Sequence, residues 1–165
     1  MKNIKFMMLA ILFTISIGCV SNQTYAPMSI GGIYAHNETA QTELYSRVSQ
    51  WAAMNFASSN DVIQLADPTN GIIIIKARST FKEFTGYERP FKFTMRILIK
   101  NNKIKIEFSN MAYFYSLNNG ITWQTKPLNG QGFAKTPTKL ANRMLKKLEL
   151  GLNEYVRKYS NNNSW

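Results

Sequence analysis

The feature that most constrains the fold is a strict alternation of apolar and polar residues between positions 91 and 108. Apolar residues take every second position on both sides of Asn101-Asn102: Phe91, Phe93, Met95, Ile97 and Ile99, then Ile104, Ile106 and Phe108. This pattern predicts two strands with one buried face, and Asn tolerates the positive φ that a two-residue turn requires. Such a turn places Lys100 opposite Lys103. Arg96 then faces Glu107, which is a favourable cross-strand pair.

The neighbouring segments predict further strands. We expect short strands at residues 33–35, 62–65, 72–78, 111–115 and 121–124, with a turn at 67–71 and a loop at 81–90. The strand at 111–115 would be a separate member of a meander. The sequence Asn118-Asn119-Gly120 predicts the turn that follows it.

Two segments have helical periodicity. The first covers residues 41–57, with Thr39 and Thr42 as candidate caps and an apolar face made of Leu44, Val48, Trp51, Ala52 and Phe56. The second begins at Thr136-Pro137, with Thr as the N-cap and Pro at the first helical position. Its predicted buried stripe consists of Leu140, Met144, Leu148, Leu152, Tyr155 and Tyr159.

This order of elements predicts an α+β fold. A strand and a helix precede an antiparallel run of four or five strands, and a second helix follows that run. With four strands in the run, the order is β-α-β-β-β-β-α. The prediction is a single domain over residues 30–160, built from one antiparallel sheet with two helices packed on one face. The other face of the sheet is then left to solvent or to a partner.

Strand alternation predicts a basic surface on the side opposite the core. Apolar side chains within a basic, exposed sheet face are typical of a partner-binding patch, although a polar open face without a partner has the same pattern. Tyr113 and Tyr115 share one face of their strand, but parity alone does not say which face. The net charge of +11 favours anionic partners and equally fits simple solubilisation. The candidate binding surface comprises Lys76, Arg78, Lys92, Arg96, Leu98, Lys103, Lys105, Tyr113 and Tyr115.

The N-terminus predicts export. Lys2 and Lys5 precede an apolar run over residues 7–17, and Gly18 stands directly before Cys19, the single cysteine. This layout is typical of a secretory signal that ends in a lipobox, and the run is shorter than the roughly 20 residues of a spanning helix. Cleavage at another site and an uncleaved anchor are the alternatives.

The predicted boundaries follow from that signal. We expect a signal peptide at residues 1–18, a lipid-anchored tether at 19–29 that begins with acylated Cys19, and a disordered tail at 161–165. The predicted location is the cell envelope, facing the periplasm rather than the cell surface. The predicted partners are the membrane, through the anchor, and an anionic envelope component or another protein. Nucleic acid is not expected in that compartment.

Residues with catalytic chemistry are sparse. His36 is the only histidine and is predicted to be a solvated loop residue, and no cysteine follows Cys19, so a Cys/His zinc site is improbable. We expect no catalytic, cofactor-binding or metal-binding residues and favour a non-enzymatic binding module. The alternative is an envelope hydrolase that acts through two loop carboxylates, Glu83 and Glu88.

Several of these segments resemble a known family. The helix centred on Trp51 leads into Asp61-Val62-Ile63-Gln64, and Asn70-Gly71-Ile72, the long hairpin and the aromatic strand around Tyr113 follow. Together, residues 30–115 resemble the domain-of-unknown-function family with a TATA-binding-protein-like (TBP-like) fold that is common in Bacteroides-type lipoproteins. The resemblance implies a curved sheet and an envelope setting. It implies no activity, because function is carried by sites rather than by folds.

Overall fold

The structure is a computed structural model, and it describes residues 30–56, 62–117, 122–130 and 135–160. The predicted signal peptide, Cys19, the tether at 19–29, the turn at 118–120 and the tail at 161–165 lie outside these residues. In the described part, no helix is long and apolar enough to cross a membrane. The elements are β1 (Ile30–Ala35), α1 (Gln41–Asn55), β2 (Val62–Asp67), β3 (Ile72–Lys82), β4 (Glu88–Lys100), β5 (Lys103–Leu117), β6 (Thr122–Pro127) and α2 (Lys135–Ser160).

One antiparallel sheet organises the molecule. Its strands lie in the order β1-β5-β4-β3-β2, and β6 also pairs with β5. Both helices pack on the same face of this curved sheet, which confirms the predicted α+β class. The described residues contain five strands between the helices, so the order with four strands is one strand short.

The central hairpin has the predicted register. Ile99 is paired with Ile104, Met95 with Phe108, and Arg96 with Glu107. Asn102 has φ 64°, a left-handed conformation that asparagine tolerates better than most residues. The inward residues of β4 and β5 are fully buried and form the centre of the core.

Two strands are longer than their sequence pattern indicated. The loop predicted at 81–90 is shorter and covers only residues 83–87, because β3 and β4 stay paired up to Lys82 and Glu88, with buried Phe81 opposite Arg89. The predicted strand at 111–115 is also not separate. It is the second half of β5, which continues through a bulge at Asn110, where φ is 52°. In both places, backbone hydrogen bonds between the strands continue through residues whose types are typical of loops, so the strands extend beyond their predicted ends.

The helix ends and faces differ in detail from the prediction. Neither predicted threonine caps α1: the cap residue is Ala40, which makes no side-chain cap bond, and the Gln41 backbone N–H donates instead to Oδ1 of Asn101 (2.9 Å). Asn101 of the β4–β5 turn therefore accepts a hydrogen bond from the first turn of α1, the role that we predicted for a threonine side chain. Helix α1 ends at Asn55, and its predicted apolar face is buried except for half-buried Phe56.

Helix α2 presents a face rotated by about one residue from the predicted stripe. It begins at Lys135, one residue before the predicted cap. Leu152 is buried as predicted, but Tyr159 is exposed. The residues that reach the core lie one position further along the chain than most of the predicted stripe. Helix α2 packs against both the sheet and α1, and the side of the helix between those two contacts is the buried one. The buried residues of this row are Ala141, Leu145, Glu149, Leu152 and Val156.

Candidate functional site

The candidate site is the open face, by which we mean the side of the sheet that the two helices do not cover. Strand pairing fixes its members: Arg78 lies opposite Lys92, Leu98 opposite Lys105, and Arg96 opposite Glu107. All of these alternate with buried core residues of the same strands. The structure thus brings seven predicted residues together on the open face: Lys76, Arg78, Lys92, Arg96, Leu98, Lys103 and Lys105.

Two predicted residues are on the other face. Tyr113 is paired with the core residue Phe91 and is only 6% exposed, and the ring of Tyr115 lies 6.2 Å from that of Tyr113. The bulge at Asn110 explains this placement, because one extra residue inverts the alternation of β5 beyond that point. Tyr113 and Tyr115 therefore do not belong to the open face.

Apolar open-face residues that the sequence analysis did not select lie among the cations. Ile33 is 68% exposed and is paired with Lys105, and Trp123 is 50% exposed on β6 opposite Ser116. The guanidinium carbon of Arg78 lies over the ring of Phe114, 5.2 Å from the ring centroid, in a cation–π contact. The sequence carries a signal only for Ile33, as the outward residue of a predicted strand. Phe114 could be assigned only with knowledge of the bulge.

Glu107 balances part of the positive charge of the open face. Its carboxylate lies 2.6 Å from Lys105 Nζ and 3.5 Å from Arg96 Nη1. The hydrogen bond from Lys105, with its charge and that of Arg96, holds the pKa of Glu107 below its usual value. Glu107 contributes stability above the ordinary carboxyl pKa, and this contribution is lost as the pH falls through the lowered value. At neutral pH, Arg96 and Lys105 therefore share one counter-charge.

A second group of cations has a different environment. Lys76, Arg78 and Lys92 line an open cavity of about 450 Å³ on this face. The other described residues that line it are neutral: Val62, Gln64, Ala77, Phe93, Thr94 and Asn110. This part of the open face therefore combines three cations with neutral neighbours among the described residues, which favours an anionic ligand.

The alternative site depends on the carboxylates of Glu83 and Glu88, and Glu83 forms an ion pair with Arg89. Glu83 lines a cavity of about 380 Å³ beside Tyr113 and Tyr115, but both of its oxygens accept hydrogen bonds from Arg89, at 2.6 and 3.2 Å. Glu88 begins β4 opposite Lys82 and is not among the residues that line this cavity. The hydrogen bond that Arg89 donates to Glu83 raises the pKa of Arg89. The arrangement fixes the β3–β4 turn.

The single histidine is not where the sequence suggested. His36 is buried, with 7% exposure, and not a solvated loop residue. Its backbone N–H donates to the carbonyl of Asn102 (2.8 Å), which fixes it against the β4–β5 turn. Burial, assisted by the charge of Arg47, lowers its pKa. Within the described ranges, no cluster of three or more His, Cys, Asp and Glu side chains could hold a metal ion.

A buried carboxylate joins α2 to β1. Glu149 is 1% exposed, accepts a hydrogen bond from the hydroxyl of Tyr34 (2.5 Å), and lies 3.1 Å from Lys146 Nζ. Burial, together with the bond to Glu149, raises the pKa of Tyr34. A side chain at Gly32 would come within 2.5 Å of this carboxylate, so the absence of one makes room for it. These contacts hold the helix on the covered face and leave the open face unobstructed.

The comparisons with known proteins agree with this geometry. The family model described as a domain of unknown function (DUF4468) with TBP-like fold matches residues 33–114. No curated protein sequence matches the chain.

Two solved structures resemble it in fold. A TBP-like protein from Parabacteroides distasonis superposes with a TM-score of 0.71 at 14% identity, covering 79% of this chain and 93% of that one. A DUF4468 family protein from Bacteroides ovatus superposes with a TM-score of 0.56 at 9% identity, covering 76% and 86%. Residues 33–114, which contain the central hairpin and most of the open face, therefore match the DUF4468 family model with TBP-like fold.

Proposed function

We propose that this chain is an exported lipoprotein of the bacterial cell envelope, anchored through Cys19 and facing the periplasm. Its domain acts as a non-enzymatic binding module. Support for the anchor comes from the signal-like residues before Cys19. Support for a binding role comes from the matched family, whose description names a fold and no activity, and from the few catalytic residue types on the open face.

The observation that carries the proposal is the contrast between the two faces of the sheet. Both helices pack on one face, while the other keeps basic side chains interleaved with exposed apolar ones. The cations there include six on three adjacent strands around Glu107: Lys76, Arg78, Lys92, Arg96, Lys103 and Lys105. Exposed cations with aromatic and aliphatic neighbours are typical of a surface that meets a partner.

The chemistry of the face fits an acidic glycan of the envelope. Neighbouring strands lie about 4.8 Å apart and alternate residues about 7 Å apart, so the cations form a broad two-dimensional array. A polymer with repeated negative charges engages such an array at several points. The exposed side chains of Ile33 and Trp123 offer apolar surface to the carbon-bearing faces of sugar rings.

Binding of dextran sulfate, a model polyanion, tests this function. We expect the full chain to bind it with an affinity that falls as salt rises, because the contacts are between exposed charges. Reversing Arg96→Glu and Lys105→Glu together should weaken binding by about tenfold or more, equivalent to roughly 1.4 kcal/mol. Removing the counter-charge with Glu107→Gln should strengthen it.

The matched control reverses the same two residue types on α2, with Lys139→Glu and Arg143→Glu, both exposed in the native structure. It changes the net charge equally and should leave binding nearly intact if the open face is the site. Equal losses in the two double variants, or no loss in either, would overturn the proposal. If the reversed pair beside Glu107 unfolds the domain, Arg96→Gln with Lys105→Gln provides the same comparison without added repulsion.

A further inference from the structure

Two bulges flank the same part of the β3–β4 pair. On β2 the register shifts between Ile63 and Leu65, which leaves Gln64 as the additional residue. On β5 the shift opposite Phe93 leaves Asn110 in a left-handed conformation. Bulges redirect side chains out of the regular alternation. Both Gln64 and Asn110 line the cavity of about 450 Å³ on the open face, so each bulge contributes one residue to its wall.

Cations from the two central strands line the same cavity. Arg78 lies directly opposite Lys92, and Lys76 is paired with Thr94, two residues further along β4. Like charges on facing strands repel one another, so an anion that bound between Lys76 and Lys92 would lower that repulsion. The described residues that line this cavity include no acidic residue.

Neutral hydrogen-bond donors complete the cavity. Nδ2 of Asn110 donates to Oγ1 of Thr94 (3.3 Å), which orients the amide and leaves the threonine proton available for another acceptor. Arg78 is held by its contact with Phe114. The cavity therefore combines ammonium, amide and hydroxyl donors on one rigid sheet surface.

We propose that this cavity is a binding site for a phosphate group carried by a sugar. A phosphate monoester has two negative charges and several acceptor oxygens, which matches more than one lysine together with neutral donors. A carboxylate carries a single charge and fewer acceptor positions. The site rests on the proposed function, because it names the substituent of an acidic glycan that the open face holds.

Titration with a soluble hexose phosphate, followed by calorimetry on the full chain, tests the site. We expect saturable binding that becomes at least about tenfold weaker when Lys76→Gln and Lys92→Gln are combined. The matched control is Lys139→Gln with Lys158→Gln, which removes two exposed charges from α2. It should change the affinity by less than about twofold, since these residues do not line the cavity.

Absence of saturable binding, or equal losses in both double variants, would overturn the site. A parallel titration with vesicles that contain phosphatidate distinguishes the source of the phosphate. Binding to those vesicles without binding to hexose phosphate would overturn the assignment to a sugar.

The results separate this site from the proposed function. If dextran sulfate still binds through Arg96 and Lys105 while hexose phosphate does not bind, the phosphate site is wrong and the open-face function stands. The opposite result is that hexose phosphate binding depends on Lys76 and Lys92, while the Arg96 and Lys105 variants bind dextran sulfate with unchanged affinity. In that case the broader glycan function is wrong.

Discussion

Phe91→Ala is expected to lower the free energy of unfolding by about 3–5 kcal/mol, the usual range for deleting a buried aromatic ring. Phe91 is fully buried at the centre of the covered face. Its ring lies 5.7 Å from the rings of both Phe81 and Phe93, and Phe93 lies 5.8 Å from Phe108. Removing it interrupts this row of rings and leaves a cavity that neighbouring strands cannot close, because they are held by their backbone ladders.

The matched control is Phe84→Ala, the same chemical change in the turn between β3 and β4. Phe84 is fully exposed, so its loss should change stability by no more than about 0.5 kcal/mol. Chemical denaturation of the two variants measures both values. A small loss for Phe91→Ala, or similar losses for the two, would contradict the placement of the core on the helix-covered face.

Gly71→Ala is expected to be the most damaging glycine change in the turns, costing about 2–4 kcal/mol of stability. Gly71 has φ +63°, and an added Cβ would lie 2.2 Å from the carbonyl oxygen of Ile99. That contact is with backbone, and the Ile99 N–H donates to the Gly71 carbonyl (2.7 Å), so neither group can move without breaking the other's bond. The β2–β3 turn would have to separate from the end of β4.

Gly86→Ala isolates the backbone part of this effect. Gly86 has φ +83°, and a Cβ there meets nothing within 4 Å. Its substitution should cost only the strain of a left-handed alanine, about 1–2 kcal/mol. Thermal or chemical unfolding of the two variants should therefore differ by the contact with Ile99 alone. Equal losses would show that this close approach of Gly71 to β4 is not present in solution.

Much of the sheet could be predicted because its signals are local. Alternation over residues 91–108, with a turn-forming Asn101-Asn102 between the halves, fixes one register, since a shift by one residue would turn every apolar side chain to solvent. The same argument correctly placed Arg96, Lys105 and Leu98 on the open face. For these strands, sequence pattern and tertiary structure agree.

The rest depends on contacts between distant residues. The bulge at Asn110 has no distinct sequence signature, yet it reverses which face Tyr113 and Tyr115 occupy. Residues 81–90 contain Gly86 and Pro90, which indicate a loop, but pairing between β3 and β4 includes Pro90 and leaves only residues 83–87 as the turn. The cavity on the open face could not be predicted for the same reason. Two of its lining residues, Gln64 and Asn110, lie at bulges that the sequence pattern does not show.

Lysine acetylation followed by mass spectrometry, with and without dextran sulfate, locates the bound surface, because it measures the reactivity of each lysine separately. We expect the polyanion to protect Lys76, Lys92, Lys103 and Lys105, while the exposed lysines of α2, Lys139, Lys147 and Lys158, react at an unchanged rate. Protection of the α2 lysines with continued reaction on the sheet, or equal protection of both sets, would show that the open face is not the binding surface.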